Sequence, residues 1–357
     1  MSMLRDYLTR RLVFENHPAL EETRCLNRLQ TRSPCSVCRE LCPQGVFDAG
    51  TPDWTRCDSC GVCAARCPSR AIRPAAMVSE KILALAARTR TATVIRCARR
   101  EDAADLSVPC LAALPWELLA RLALDGTLTV LEGPCADCPR RPLQVHWEKT
   151  LTELRTALGA ERAASLLRLV SAQESAPPQG LSRREAFSRL LSGSRAAAAG
   201  VLPEDRSLTP DGMLSRRLLA WRLKQQGAEA PALTLPLPQF RAACNGCGLC
   251  TRLCPSEALH RLSGAGDGGA ERSGVWHMAV IPWRCTGCDL CASACPRGGL
   301  ELEARCVDLL TPQVHTVHGA ACRRCGQPAD GEADGLCAAC RAETGTPAFL
   351  RREKVLF

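Results

Sequence analysis

Aromatic side chains are scarce in this chain: one tyrosine, six phenylalanines and six tryptophans in 357 residues, 4% of the total. A chain of that length ordinarily builds two or three domains around apolar cores. With so few large rings another force has to hold the small units together, and metal coordination is the candidate. Long apolar runs are missing too. No stretch approaches the roughly 18 apolar residues of a membrane helix, which excludes a direct membrane span. The six histidines are scattered, and no Ser-His-Asp set, metalloprotease motif or phosphate loop can be traced. Gly264-Ala265-Gly266-Asp267-Gly268-Gly269 fits the G-x-G-x-x-G pattern. No strand precedes it and no helical pattern follows, so it reads as a hairpin tip rather than a dinucleotide site. A substrate-transforming site is not expected, and whether the chain is itself an enzyme stays open.

What the chain has in abundance is cysteine, 25 residues. Three complete runs have the form C-x2-C-x2-C-x3-C-P: Cys57, Cys60, Cys63 and Cys67-Pro68; Cys244, Cys247, Cys250 and Cys254-Pro255; Cys285, Cys288, Cys291 and Cys295-Pro296. A fourth, Cys35, Cys38 and Cys42-Pro43, is one cysteine short. Sulfurs returning every third residue can point at one inorganic cluster while backbone N–H groups face its core, so the spacing is that of iron-sulfur ligands. The odd total, the clustered C-x2-C spacing and the lack of a signal peptide argue against a secreted disulfide framework. The expected compartment is reducing and cytoplasmic. Thr9-Arg10-Arg11-Leu12-Val13-Phe14 has the outline of a twin-arginine export signal, but Glu15, Asn16, His17 and Pro18 stand where an apolar stretch is required.

The paired runs resemble the bacterial two-cluster ferredoxins. In that family the fourth cysteine of each motif serves the other cluster. Carried over residue by residue, the resemblance gives Cys244, Cys247, Cys250 and Cys295 to one 4Fe-4S cluster and Cys285, Cys288, Cys291 and Cys254 to its neighbour. In the first half it gives Cys57, Cys60, Cys63 and Cys42 to one cluster and leaves Cys35, Cys38 and Cys67 with an open corner. Cys25 is the unclaimed cysteine nearby and is expected as the fourth ligand. The competing readings are a 3Fe-4S cluster or a buried free thiol at position 25. The x3 spacing sets Cys250 and Cys254 one helical turn apart, so a short helix is expected between the two clusters.

Between the ferredoxin-like halves lies a different set of four. Thr93–Arg96 reads as a strand ending at Cys97, and Leu106–Val108 is a second short strand leading to Pro109-Cys110. Pro115 opens a helix over Trp116–Leu124 that Gly126 closes, and Thr127–Leu131 is a strand running into Cys135-x2-Cys138. In a right-handed β-α-β crossover the strands' carboxyl ends share one edge, so Cys97, Cys110, Cys135 and Cys138 should converge. The segment resembles the delta-subunit domain of methyl-viologen-reducing hydrogenases. That resemblance implies a 2Fe-2S cluster and electron transfer between a hydrogenase or dehydrogenase and a flavoprotein. A zinc site or unmetallated thiols is the competing reading.

Cys322-x2-Cys325 and Cys337-x2-Cys340 form two knuckles joined by a Gly- and Asp-containing hairpin. Four thiolates on facing turns match a tetrahedral zinc ion that fixes a small ribbon, and a single iron would use the same ligands. His315 and His318 precede the knuckles and read as exposed loop residues. Cys306 is left over and reads as a small buried hydrophobe without a role.

The formal charge of +9 invites a nucleic-acid reading. Four 4Fe-4S clusters on thiolates would add about −8, which brings the loaded protein near neutral. Arg5, Arg66, Arg96, Arg140, Arg252 and Arg284 then read as balancing the clusters or steering an acidic partner. No aromatic array is interleaved with them, and nucleic acid is not an expected partner. The stretch from His146 to Phe240 has no cysteine. Trp147–Val170, Leu181–Leu191 and Met213–Leu223 read as helices around a Ser171–Gly180 linker, with an alternative disordered tether at Arg195–Gly200.

The expected fold class is α+β. A first dicluster domain over 1–78 is followed by a small α/β domain over 88–145 and a helical linker over 146–239. A second dicluster domain over 240–305 precedes a ribbon and tail over 306–357. The expected function is that of an iron-sulfur electron-transfer subunit in an anaerobic oxidoreductase complex. It would be a hetero-oligomer with a hydrogenase, formate dehydrogenase or flavoprotein-type partner, working through flavin, molybdenum or tungsten. A redox-sensing or assembly scaffold is the alternative.

Overall fold

The computed structural model describes residues 18–29, 35–48, 51–73, 85, 91–174, 214–227, 231–262, 274–329 and 334–345. Thr9–Phe14, Leu181–Leu191, Arg195–Gly200 and Gly264–Gly269 lie outside them, as do residues 175–213 and 228–230 of the expected linker. Among the described residues helices and strands are mixed, with four small sheets, an α+β composition. The chain divides into two units, residues 1–234 and 235–357, and each is described by itself.

In the first unit the cysteine-bearing turns need little regular structure. β1 (Ala19–Leu20) and β2 (Ile72–Arg73) form a minimal antiparallel pair. Between them lie the short helices α1 (Leu26–Leu29), α2 (Val37–Leu41) and α3 (Val62–Arg66). The β-branched run that follows forms β3 (Ala92–Cys97), whose inward face, Thr93, Ile95 and Cys97, is buried. β4 (Leu106–Val108), α4 (Trp116–Ala123) and β5 (Thr127–Leu131) follow as expected. Every residue of α4 is buried, Glu117 and Arg121 included, so its two charges need partners inside the protein.

The region after position 145 departs from the expected helical linker. α5 (Gln144–Leu158) stops at Gly159, whose φ of +83° and ψ of 145° no helix continues. α6 (Ala160–Leu166) is short, and Leu167–Val170 is not helical but forms the strand β6. β6 pairs in parallel with β5, giving a four-stranded parallel sheet in the order β4-β3-β5-β6. α7 (Leu214–Gln226) packs on α4 through Arg216–Glu117 at 2.9 Å and Arg222–Asp125 at 2.5 Å. The α/β domain therefore extends past 145 and takes in most described residues of the expected linker. The apolar spacing of 167–170 fits a buried strand as well as a helix, and tertiary pairing decides.

The second unit opens with β7 (Leu233–Phe240), whose Leu233, Leu235 and Leu237 are fully buried. Pro236 and Pro238 lie within this strand, tolerated because it belongs to a two-stranded sheet. α8 (Leu249–Leu253), β8 (Leu259–Leu262), β9 (Val275–Val280), α9 (Leu290–Ser293), β10 (Leu300–Val307) and β11 (Gln313–His318) follow. β10 pairs with β7, and β11-β9-β8 form an antiparallel sheet. A domain boundary at 305 would cut β10 and detach β11 from its sheet, so the ribbon begins only after His318. Cys306 is exposed on β10 rather than buried. His315 and His318 sit on β11 rather than in a loop, and His315 packs against the Phe240 ring at 5.3 Å. The ribbon ends in α10 (Ala338–Gly345). Among the described residues no helix is long and apolar enough to cross a membrane.

Candidate metal centres

One turn geometry is repeated along the chain. The amides of Cys57, Cys244 and Cys285 donate to the carbonyls of Trp54, Arg241 and Pro282, three residues back, at 3.1, 2.9 and 3.2 Å. The backbone then turns left-handed two residues after the first cysteine of each run, at Ser59, Gly246 and Gly287, and again after the second, at Gly61, Gly248 and Asp289. Such φ values let successive amides face inward. The third and fourth cysteines lie one turn apart on or beside α3, α8 and α9. A further left-handed residue stands three places after the fourth, at Arg70, Glu257 and Gly298. There the amides of Ala71, Ala258 and Gly299 donate to the sulfurs of Cys67, Cys254 and Cys295 at 3.2, 3.2 and 3.3 Å. N–H donors on sulfur favour thiolate and raise the potential of a bound cluster.

The incomplete run fits this pattern with its first member displaced. Cys35, Cys38 and Cys42 stand where the second, third and fourth cysteines stand elsewhere, with Gly45 in the left-handed position three residues on. Cys25 ends a 3-10 turn whose amide donates to Glu22 O at 3.1 Å, the geometry of Cys57 after Trp54–Arg56. The residues before these cysteines act alike. Arg24 donates to Ser69 O, in the turn after Cys67, and Arg56 donates to Gly45 O, in the turn after Cys42. The repeated Thr-Arg-Cys of residues 23–25 and 55–57 is the sequence signal for this equivalence.

The structure gathers the thiols into sets. Cys42, Cys57, Cys60 and Cys63 line one space of about 330 Å³. Cys244, Cys247, Cys250 and Cys295 line another of about 400 Å³, which Cys291 also borders. Cys254, Cys285, Cys288 and Cys291 line a third of about 340 Å³. Cys25, Cys35, Cys38 and Cys67 form a fourth set, close enough that Cys38 feels the charges of the other three. Burial pushes Cys38 up to about 11 and Cys60 and Cys250 up to about 12, and it raises Cys63 and Cys291 strongly. Loading such a site therefore exchanges protons for metal.

The α/β domain places its four cysteines at the carboxyl edge of the parallel sheet. Cys97 ends β3, Cys110 follows β4, and Cys135 and Cys138 follow β5. Cys135 feels the charges of Cys97 and Cys138, and Cys110 those of Cys97 and Cys135. A Cβ on Gly133 would stand 2.6 Å from Cys97 Sγ, so only glycine leaves that sulfur room. Burial raises Cys110 and Cys135. Partial burial acts the same way on Cys138, but the Arg140 amide together with the Arg99 and Arg140 guanidiniums outweighs it and brings that thiol below its ordinary value.

In the ribbon the sulfurs of Cys322, Cys325, Cys337 and Cys340 all lie within 4.8 Å of one another, with Cys325 and Cys337 at 3.7 Å. Zinc-sulfur bonds of about 2.3 Å in a tetrahedron set sulfurs about 3.8 Å apart, so this set fits one ion. Backbone donation from Cys337 pulls the Cys322 thiol below its usual range. Among the described residues no other three cysteine, histidine or acidic donors are packed this tightly. The sulfurs of the remaining cysteine sets are less tightly packed than those of the ribbon. Ribbon and dicluster turns meet where Asn245, between Cys244 and Cys247, donates to Ala329 O at 3.2 Å.

Several arginines expected to balance clusters are paired with protein carboxylates. Arg66 binds Glu153 at 2.9 Å and also reaches His146 O and Thr150 Oγ1. Arg140 binds Asp58 at 2.7 Å, and Arg284 meets Glu257 at 3.4 Å while lying over the Trp283 ring. Sequence reading missed the buried carboxylate Glu117. Burial alone would raise it, but Arg70 at 2.8 Å and Arg216 at 2.9 Å prevail and hold it at about 2.

Comparison with known families agrees with this geometry. Residues 243–299 match the 4Fe-4S dicluster domain, and residues 51–73 match the 4Fe-4S binding domain. No curated protein matches the chain. The chain thus carries two ferredoxin-type 4Fe-4S domains, and their chemistry is iron-sulfur electron transfer. Cys25, Cys35, Cys38, Cys42, the α/β set and the ribbon fall outside both matches.

Proposed function

We propose that this protein is the iron-sulfur electron-transfer subunit of a cytoplasmic oxidoreductase complex, carrying electrons between a catalytic partner and a low-potential acceptor. The observation that carries the reading is the three thiol-lined spaces, each drawing cysteines from two runs, within or beside residues that match 4Fe-4S domains. In this reading the four sets of cysteines in the cubane-type turns hold four 4Fe-4S clusters. Cys25 completes the set of Cys35, Cys38 and Cys67, supported by its turn geometry and by Arg24 reaching Ser69 O. Cys97, Cys110, Cys135 and Cys138 hold a 2Fe-2S cluster, a reading supported by their convergence at the carboxyl edge of the parallel sheet, and the ribbon holds zinc.

Bound clusters supply reversible one-electron storage. The chain's own part is to hold them, exclude water with residues such as Val62, Leu41 and Leu300, and tune them with N–H donors on sulfur. The partner is a flavin-, molybdenum- or tungsten-dependent hydrogenase, formate dehydrogenase or flavoprotein, the class that the delta-subunit resemblance implies. The test is anaerobic purification with iron, sulfide and zinc counted per chain. About eighteen iron atoms and one zinc are expected. A count near eight iron atoms sinks half of the assignment, and colourless oxygen-free protein sinks all of it.

A further inference from the structure

The α/β cysteine set and the nearest cubane set are joined by one side chain. Arg140 lies two residues after Cys138, and its backbone amide donates to the Cys138 sulfur. Its guanidinium turns the other way. Nε donates to Asp58 Oδ2 at 2.7 Å, Nη2 to Asp58 O at 3.4 Å, and Nη1 to Pro109 O, the residue before Cys110, at 3.1 Å. Asp58 follows Cys57, and its other oxygen accepts the amide of Cys60 at 3.2 Å. A continuous chain of hydrogen bonds thus runs from the Cys57–Cys60 turn to the Cys110 and Cys138 turns. The cation stands close enough to interact with the sulfurs of both Cys60 and Cys110. The surfaces around it are fitted to one another: a Cβ on Gly61, next to Cys60, would lie 3.2 Å from Ala113 Cβ. Arg140 and Asp58 are each about three-quarters buried, at 23% and 27% exposed, which limits solvent screening of the pair.

We propose that Arg140 is a positioning residue shared by two centres. It holds the Cys97/Cys110/Cys135/Cys138 site beside the Cys42/Cys57/Cys60/Cys63 site and sets one cation between them, so that a single electron passes directly from one to the other. The proposal rests on the assignment of iron to both sites. In the step one centre is oxidised by one electron as the other is reduced by one, no bond forms or breaks, and no proton moves. A positive charge common to both sites stabilises the reduced, more negative form of each. The two potentials are therefore coupled to the same side chain.

The test uses the full-length, anaerobically loaded protein, titrated with dithionite and followed by electron paramagnetic resonance, with metals counted in every sample. Arg140→Gln should keep the wild-type iron count and shift the reduction equilibrium of both centres about tenfold toward the oxidised form, 59 mV for one electron. Arg140→Lys, which keeps the charge, should restore most of the shift. Asp58→Asn, which leaves the cation unopposed, should move both centres the opposite way, a reversal that simple loosening of the structure would not give. Wild-type protein with both centres reduced should show spin–spin interaction between them, weakened in Arg140→Gln. Full iron with neither potential moved, or with one moved alone, overturns the proposal and leaves the electron-transfer reading standing. An α/β site that holds zinc or no metal overturns the proposal together with the iron assignment of that site, and the metal count tells the two failures apart.

Discussion

In residues 243–299 the two cysteine runs ride on sheets of their own. β9 is flanked by β8 and β11, β7 pairs with β10, and Trp276 and Met278 pack beneath the turns. In residues 18–73 the same turns are joined by two strands of two residues each, and one run is a cysteine short. That smaller unit is fastened to the α/β domain by Arg66, Arg70 and Arg140, each bound to a carboxylate across the boundary or reached from it. The turn geometry around sulfur is the same in both, as the shared cysteine spacing requires. What differs is the scaffold that carries the turns. One half supplies apolar sheets and the other half borrows a neighbour through buried charge, so the two should fail in different ways.

The largest expected effect comes from removing ligands. Cys254→Ser and Cys25→Ser should each cost between about one and four iron atoms per chain, because either set retains three thiols and can hold a 3Fe-4S centre or lose its cluster outright. Iron counts and low-temperature paramagnetic resonance separate these cases. Unchanged iron and spectra in Cys25→Ser would remove that residue from the ligands and leave the first half asymmetric in fact as well as in spacing.

The next effect separates the scaffolds. Glu117→Ala leaves Arg70 and Arg216 buried without their shared carboxylate, and breaking a buried network of this kind costs about 3–5 kcal/mol. The first unit's thermal transition should fall by many degrees while the second unit's stays in place. The carboxyl sits at about 2 against its ordinary 4.5, so its contribution is complete above pH 4.5 and is lost as the pH falls toward 2. The corresponding charge cluster of the second unit, Arg241 with Glu301 and Glu303, is exposed. Arg241→Ala should leave that unit's transition unmoved. A shared shift in the two transitions would mean that the units do not melt independently.

These differences bear on what a sequence can disclose. The complete runs are legible because three sulfurs must reach one centre, and the fourth its neighbour, through a fixed number of backbone atoms, and no packing requirement produces that spacing. Cys25 is harder to read: nine residues separate it from Cys35, and its place is marked only by a Thr-Arg-Cys turn like that ending at Cys57. The three strands of the β-α-β unit are legible from β-branched runs and the helix from its apolar face. β6 is not, because Leu167-Arg168-Leu169-Val170 satisfies helical and strand spacing equally until β5 offers its edge. Least legible are the fastening arginines. Nothing local to Arg66 or Arg140 names Glu153 or Asp58, each more than 80 residues away, and charge counting alone assigns such side chains to solvent or cluster.

A smaller effect should follow from exchanging backbone freedom between the halves. Gly246 has a φ of +73°, and a Cβ there would meet the Trp276 ring at 3.1 Å. Gly246→Ala should destabilise the second unit by about 1–3 kcal/mol, read from its melting transition. At the matching position of the first unit the chain tolerates a side chain, Ser59 at φ 56°. If the backbone alone mattered, Ser59→Gly would stabilise by about 1 kcal/mol.

The smallest expected change is therefore the most discriminating one. The Ser59 amide donates to Cys57 Sγ at 3.4 Å, and its hydroxyl bonds the same sulfur. A hydrogen bond of that kind contributes about 0.5–1.5 kcal/mol net, enough to offset the strain of a left-handed serine. Ser59→Gly should then melt within about 1 kcal/mol of the wild type while the potential of the centre at Cys57 falls, because a donor to sulfur has gone. Ser59→Ala keeps the strain, loses the bond and should be the less stable of the two. Equal potentials in Ser59→Gly and the wild type would mean that the hydroxyl plays no part at the sulfur. The serine would then be a strain that the first half carries and the second, with glycine at Gly246 and Gly287, does not.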